Sequence, residues 1–174
     1  FESEQAASRV LSLMSIISLL IIFLLLFQEF RSLSVSGIIM LNLPLALIGG
    51  IVSIWLTSGE VSIPAIIGFI SLFGIATRNG ILLVSHYNQL RSEGMSLYDS
   101  VVNGSLDRLN PILMTALSSA LALIPLALGG DLPGNEIQSP MAKVILGGLL
   151  SSTLLNGFIV PAVYLIINRK NSNV

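Results

Sequence analysis

Apolar residues run along this chain in long blocks, not in the short alternations of a strand or the one-sided stripes of a soluble helix. A helix that crosses the hydrocarbon core of a bilayer needs about 20 predominantly apolar residues. Five segments meet or approach that length: Val10–Phe27, Leu33–Leu56, Ile63 to about Tyr87, Ile112–Leu128 and Val144–Ile167. Pro44 and Gly49-Gly50 interrupt the second, Pro125 lies near the end of the fourth, and Pro161 lies inside the fifth. Such residues are tolerated in membrane helices where neighbours re-satisfy the freed backbone groups, so the pattern predicts packed, slightly broken helices. The fold class expected is all-α, a polytopic membrane helical bundle spanning residues 10–168.

Two connections are longer than the rest. Gln89–Asn110 is polar, yet Leu90, Leu97, Val101 and Leu106 recur with partial helical spacing, which predicts an interfacial amphipathic helix. Pro111 then reads as a helix-start proline. Gly129–Pro140 (GGDLPGNEIQSP) carries turn residues and two acids and predicts a loop.

Composition agrees with the block pattern. The 174 residues are 53% hydrophobic and 10% charged, against about 25% charged in a soluble domain. A net charge of -1 gives no sign of nucleic-acid binding. The absence of cysteine excludes a disulfide framework or thiolate metal site, and the single histidine, His86, excludes a multi-histidine site within the chain. No nucleophile–base pair, phosphate loop or metal-ligand cluster is legible, so no enzyme and no bound cofactor is expected.

Charge placement sets the expected orientation. Arg31, Arg91, Arg108, Arg169 and Lys170 flank one side of the spans; Arg9 and Lys143 flank the other, with Glu2, Glu4, Glu60, Asp131 and Glu136. The positive-inside rule then puts the N-terminus outside and the tail, residues 169–174, in the cytoplasm. The chain starts at Phe1, and its acidic FESEQ is unlike the cationic start of a signal peptide. Residues 1–9 are therefore expected to end an extracytoplasmic connection within a longer polypeptide.

The candidate chemistry is sparse. Arg78 lies in the otherwise uncharged run Ile63–Ser85, and no acid lies in a comparable run. A guanidinium at membrane depth is a functional-site hypothesis by default. The plainer alternative is snorkelling, since Tyr87 lies nine residues on, about 13 Å along a helix. Asn79 is a second polar group at that depth. Thr115 is either a hydroxyl bonded back to its own helix or part of a polar path. Small and hydroxyl residues form candidate packing stripes: Ser12, Ser15 and Ser18; Gly68, Ser71, Gly74 and Arg78; Thr115, Ser118, Ser119 and Ala122; Gly147, Gly148, Ser151 and Ser152. His86, near the membrane edge, reads as solvated, and the five methionines read as packing.

Several stretches carry a resemblance. GFISLFGIATRNGILLVSHYNQLR (Gly68–Arg91) resembles the tenth transmembrane helix of resistance-nodulation-division efflux pumps, RLNPILMTALSSALALIPLALG (Arg108–Gly129) the eleventh, and GNEIQSPMAKVILGGLLSSTLLNGFIVPAVYLI (Gly134–Ile166) the loop and twelfth. The first two spans, with FLLLFQEFRS (Phe23–Ser32), resemble the eighth and ninth. Glu136-Ile137-Gln138-Ser139-Pro140 followed by Val144-Ile145-Leu146-Gly147-Gly148 is most like the heavy-metal branch, the cobalt-zinc-cadmium and copper-silver cation exporters. Asn110 departs from the family's R-L-R-P run, where arginine is common.

The resemblance implies the last five helices of a twelve-helix, proton-driven exporter of heavy-metal cations. It implies an inner-membrane homotrimer working with a periplasmic adaptor and an outer-membrane channel. Arg78 matches the basic residue that pairs with acids on the fourth helix of the full pump; Asn79 adjoins it, and Thr115 matches a relay threonine. Arg108 is a possible support. The alternatives are a multidrug exporter of the same superfamily and a non-exporting accessory membrane domain for protein translocation or sensing.

Overall fold

A computed structural model describes residues 2–57, 59–130 and 132–171, with side chains described for 5–57, 59–130 and 132–169. Asp131, residues 172–174 and the side chains of Glu2, Glu4 and Lys170, which entered the charge reading, lie outside the described residues. The described backbone forms six helices: α1 (Glu2–Phe30), α2 (Leu33–Met40), α3 (Asn42–Thr57), α4 (Ile63–Ser92), α5 (Leu97–Leu128) and α6 (Gln138–Asn171). No strand occurs among these residues. Five helical stretches are long and apolar enough to cross a membrane, with α2 and α3 counted together as Leu33–Thr57.

The ends of these helices follow local chemistry. Ser32, Ser62 and Ser96 cap α2, α4 and α5, each hydroxyl accepting a backbone N–H from Val35, Ala65 or Asp99. Ser96 also donates to the Asp99 carboxylate. The break between α2 and α3 at Leu41 follows from Pro44. Its ring crowds the Met40 carbonyl four residues back and offers that carbonyl no N–H.

Two expectations need correction. Gln89–Asn110 does not form a separate interfacial helix: α4 runs to Ser92, a turn follows, and α5 continues unbroken from Leu97 to Leu128. Pro111 accordingly lies inside α5, not at its start. One proline removes one backbone bond, and the flanking residues keep helical geometry, so the polar and apolar halves share one axis. The helix of the last span likewise starts at Gln138, ahead of the apolar block.

α6 is the hub, packed against α3, α4 and α5. Its crossing with α3 is antiparallel and very close. A Cβ on Gly49 would stand 2.2 Å from the Gly147 carbonyl oxygen. Hydroxyls bond across the same crossing, Ser53 Oγ to Lys143 O at 2.7 Å and Ser151 Oγ to Leu45 O at 2.8 Å. α4 lies parallel to α6, with Leu72 against Gly148 and the rings of Tyr87 and Tyr164 5.1 Å apart. α1 and α5 stay outermost and bury little of their apolar surface within the chain.

Of the four proposed stripes, the one on α6 packs most closely on neighbouring helices. Gly147 and Ser151 face α3, and Gly148 faces α4. Ser12 and Ser15 bond back to Ser8 and Leu11 on their own helix. Gly68 does not share a face with Ser71, Gly74 and Arg78: it is buried against Met141 and Val144, while the other three are exposed. A spacing of three residues slips about 60° around a helix with 3.6 residues per turn, which moves Gly68 off that face.

Candidate functional site

α4 divides cleanly into two faces. Ala65, Leu72, Ala76, Gly80, Leu83, Val84 and Tyr87 turn inward, whereas Ile67, Ser71, Gly74, Arg78, Leu82 and Ser85 are exposed. Arg78 stands in the middle of the outward face. It forms no hydrogen bond or ion pair with any described residue. A Cβ on Gly74, one turn away, would meet nothing within 4 Å. The middle of this face therefore carries a cation, two hydroxyls and a glycine beside Leu82, a strip whose charge is unsuited to lipid.

Asn79 turns the other way and is buried, 5% exposed. Thr77 is buried too, and its Oγ1 has no partner among the described residues. Thr115 is exposed on α5, and its hydroxyl donates to the Pro111 carbonyl at 2.9 Å. Arg108 is half-buried in α5 and makes no hydrogen bond to a described residue. The structure thus brings none of Arg78, Asn79, Thr115 and Arg108 into direct contact.

It does align two of them in depth. His86 Nε2 and Asp107 Oδ2 lie 3.1 Å apart and tie α4 to α5. Arg78 precedes His86 by eight residues and Thr115 follows Asp107 by eight, so both stand about 12 Å from the same tie.

That tie belongs to a clasp that the sequence reading missed. Tyr87 Oη and Ser105 Oγ share a hydrogen bond. Tyr164 donates to the Asn88 carboxamide, and Arg91 donates to Asn168 Oδ1 at 3.0 Å. The run SHYNQ, residues 85–89, at the end of an apolar block was the available signal. Polar residues packed that densely there are suited to fastening neighbouring helices. Two buried carboxamides were missed as well. Asn42 is 0% and Asn156 2% exposed, and neither amide has a partner among the described residues.

The chain matches the model of the AcrB/AcrD/AcrF family over residues 1–168. It belongs to that family. The resistance-nodulation-division resemblance is thereby borne out. The chain is 39% identical over 173 residues to the cobalt-zinc-cadmium resistance protein CzcA of Cupriavidus metallidurans, covering 99% of this chain and 16% of CzcA. It is 41% identical over 171 residues to protein HelA of Legionella pneumophila, covering 98% of this chain and 16% of HelA. A crystal structure of a heavy metal efflux pump superposes with a TM-score of 0.87 at 37% identity, over 97% of this chain and 17% of that one. The chain thus spans about one-sixth of the length of these relatives.

Proposed function

We propose that this chain is the C-terminal membrane part of a proton-driven exporter of heavy-metal cations, and that Arg78 is the cationic half of its proton relay. One observation carries the reading: Arg78 stands exposed at mid-span on a polar strip of α4, in a chain whose relatives include a cobalt-zinc-cadmium resistance protein. A strip of this composition calls for a polar neighbour, and acids on another helix of the pump are the natural one. A carboxylate beside a guanidinium is attracted to it; protonation weakens that attraction. The pair then has two electrostatic states, and helix packing can follow the switch between them.

Within this scheme Asn79 fixes the rotation of α4 through its buried side, and Thr115 offers a hydroxyl at the depth of Arg78. Arg108 adjoins the His86–Asp107 tie on α5 and is a supporting residue of the scheme. The proton is the coupling ion, and no bound cofactor or enzymatic step is required. The setting is the inner membrane, with the N-terminal end of the chain periplasmic and the C-terminal end cytoplasmic. The working unit is a homotrimer coupled to a periplasmic adaptor and an outer-membrane channel.

The test is Arg78→Ala in the full-length protein, with Arg78→Lys beside it. Cells carrying Arg78→Ala lose tolerance to cobalt, zinc and cadmium salts, with protein level and membrane insertion unchanged. Arg78→Lys keeps a measurable part of the tolerance. Full tolerance with Arg78→Ala sinks the proposed role.

A further inference from the structure

Beside the clasp, where α5 starts and α6 approaches its end, the two helices leave a groove of about 430 Å³ between them. Its walls are Leu97 and Tyr98 on α5 and Leu165, Ile166 and Arg169 on α6. Arg169 is the one charged residue in the lining. It is exposed and has no hydrogen-bond or ion-pair partner among the described residues. The carboxylate of Asp99, the acid next to Tyr98, is taken by the Ser96 cap. Arg91, bonded to Asn168, brings a second cation to the residue before Arg169, and Lys170 follows in the sequence.

The surface of α6 that leads to this groove is what lipid requires. Between Leu150 and Ile166 its exposed residues are Leu150, Leu154, Gly157, Phe158, Ala162 and Ile166, none with a polar side chain. That stripe is about 24 Å long at 1.5 Å per residue, most of the thickness of a hydrocarbon core. Arg169 stands just beyond it. The outward face of α4 differs in kind, since it carries Arg78 at mid-span. A face that meets lipid is apolar through the core and cationic or aromatic at its edge. Arg169 and the exposed ring of Tyr98 supply that edge.

We propose that this groove is a site for an anionic phospholipid. The headgroup phosphate bonds Arg169, and one acyl chain runs from Leu165 and Ile166 along the stripe of α6. Charge complementarity selects this occupant. Basic residues at the rim between membrane helices bind acidic headgroups, and a guanidinium grips a phosphate through two parallel hydrogen bonds. A zwitterionic lipid would bring a further cation to a rim that is already cationic. A packed protein helix would have to bring its own acid to Arg169. The leaflet follows from the orientation proposed above, but the site itself does not depend on it, nor on which ion is exported.

The experiment uses the full-length protein in phosphatidylcholine nanodiscs with a trace of phosphatidylglycerol that carries a diazirine high in one acyl chain. Nanodiscs present the probe in both leaflets, so the outcome is independent of orientation. Competitors are unlabelled phosphatidylglycerol and phosphatidylethanolamine at equal mole fraction. Adducts are expected on residues 97–102 and 162–169, with phosphatidylglycerol displacing the label about fivefold more effectively, the worth of one basic residue against an anionic headgroup. Arg169→Gln erases that preference, and Arg169→Lys keeps most of it. Absence of adducts on both helices overturns the proposal, as when another helix of the protein fills the groove. Equal displacement by the two competitors also overturns it and marks the groove as unselective lipid contact. A preference that survives Arg169→Gln overturns the assignment of the headgroup to Arg169.

Discussion

Gly49→Ala tests the crossing of α3 and α6 most directly. The added methyl would stand 2.2 Å from the Gly147 carbonyl oxygen and 2.3 Å from Ser151 Oγ. Ordinary contact begins near 3.4 Å, so the two helices must separate by about 1 Å. The first obstacle is backbone and cannot rotate away. Separation on that scale also lengthens the Ser53–Lys143 and Ser151–Leu45 bonds, now 2.7 and 2.8 Å, beyond useful geometry. Overpacking costs about 1–3 kcal/mol, and each interhelical hydrogen bond in a membrane averages about 0.6 kcal/mol. Beyond the helix-propensity gain that any Gly→Ala change brings, the expected loss is therefore about 2–4 kcal/mol. A denaturing-detergent titration of the full-length protein measures it. Gly37→Ala is the matched control, because a Cβ there meets nothing within 4 Å and alanine favours the helix by up to about 1 kcal/mol. If Gly49→Ala and Gly37→Ala behave alike in the titration, the close crossing is not what holds α3 to α6.

Three further outcomes follow from the packing. Asn42→Leu removes a buried, unpartnered carboxamide and should stabilise the bundle by about 1–3 kcal/mol in the same titration; a loss of stability would reveal a polar partner for Asn42 in the whole protein. Tyr164→Phe keeps the ring against Tyr87 but loses the bond to Asn88, an expected cost of about 1 kcal/mol; an unchanged midpoint would mean that bond contributes nothing. Pro44→Ala restores an N–H that can bond the Met40 carbonyl, so the amide of residue 44 should resist hydrogen exchange and the break at Leu41 should close. Rapid exchange at residue 44 would place the cause of the break elsewhere.

Much of the architecture was legible because a bilayer constrains sequence strongly. Each block long enough to span must be helical, since lipid offers no partner to exposed backbone groups. Pro44 and the serine caps act locally, so their effects can be read one residue at a time. Periodicity served less well in residues 89–110, where the drop in hydropathy suggested a separate element. α5 runs through it, because helical geometry depends on backbone bonding and not on which solvent the side chains meet.

The site was legible as residue types rather than as a constellation. Arg78 is conspicuous in any reading of its span, as is the polar neighbour Asn79. The clasp of His86, Tyr87 and Asn88 with Asp107, Ser105 and Tyr164 was not, since its partners lie on different helices and are joined only by the bundle's register. The same holds for Asn42 and Asn156. A polar residue inside an apolar block has no sequence mark that says whether it faces lipid, a neighbouring helix or a cleft.

By itself, the sequence determined that this is a five-span helical membrane bundle with a lone cation at mid-depth, because solvent and chain length alone dictate such blocks. Tertiary structure decided which side of each helix turns inward. It set Gly147 and Ser151 against α3 and left Arg78 and Thr115 uncovered at one depth. Small residues set how closely two helices approach, and that closeness fixes the rotation of every other side chain on them.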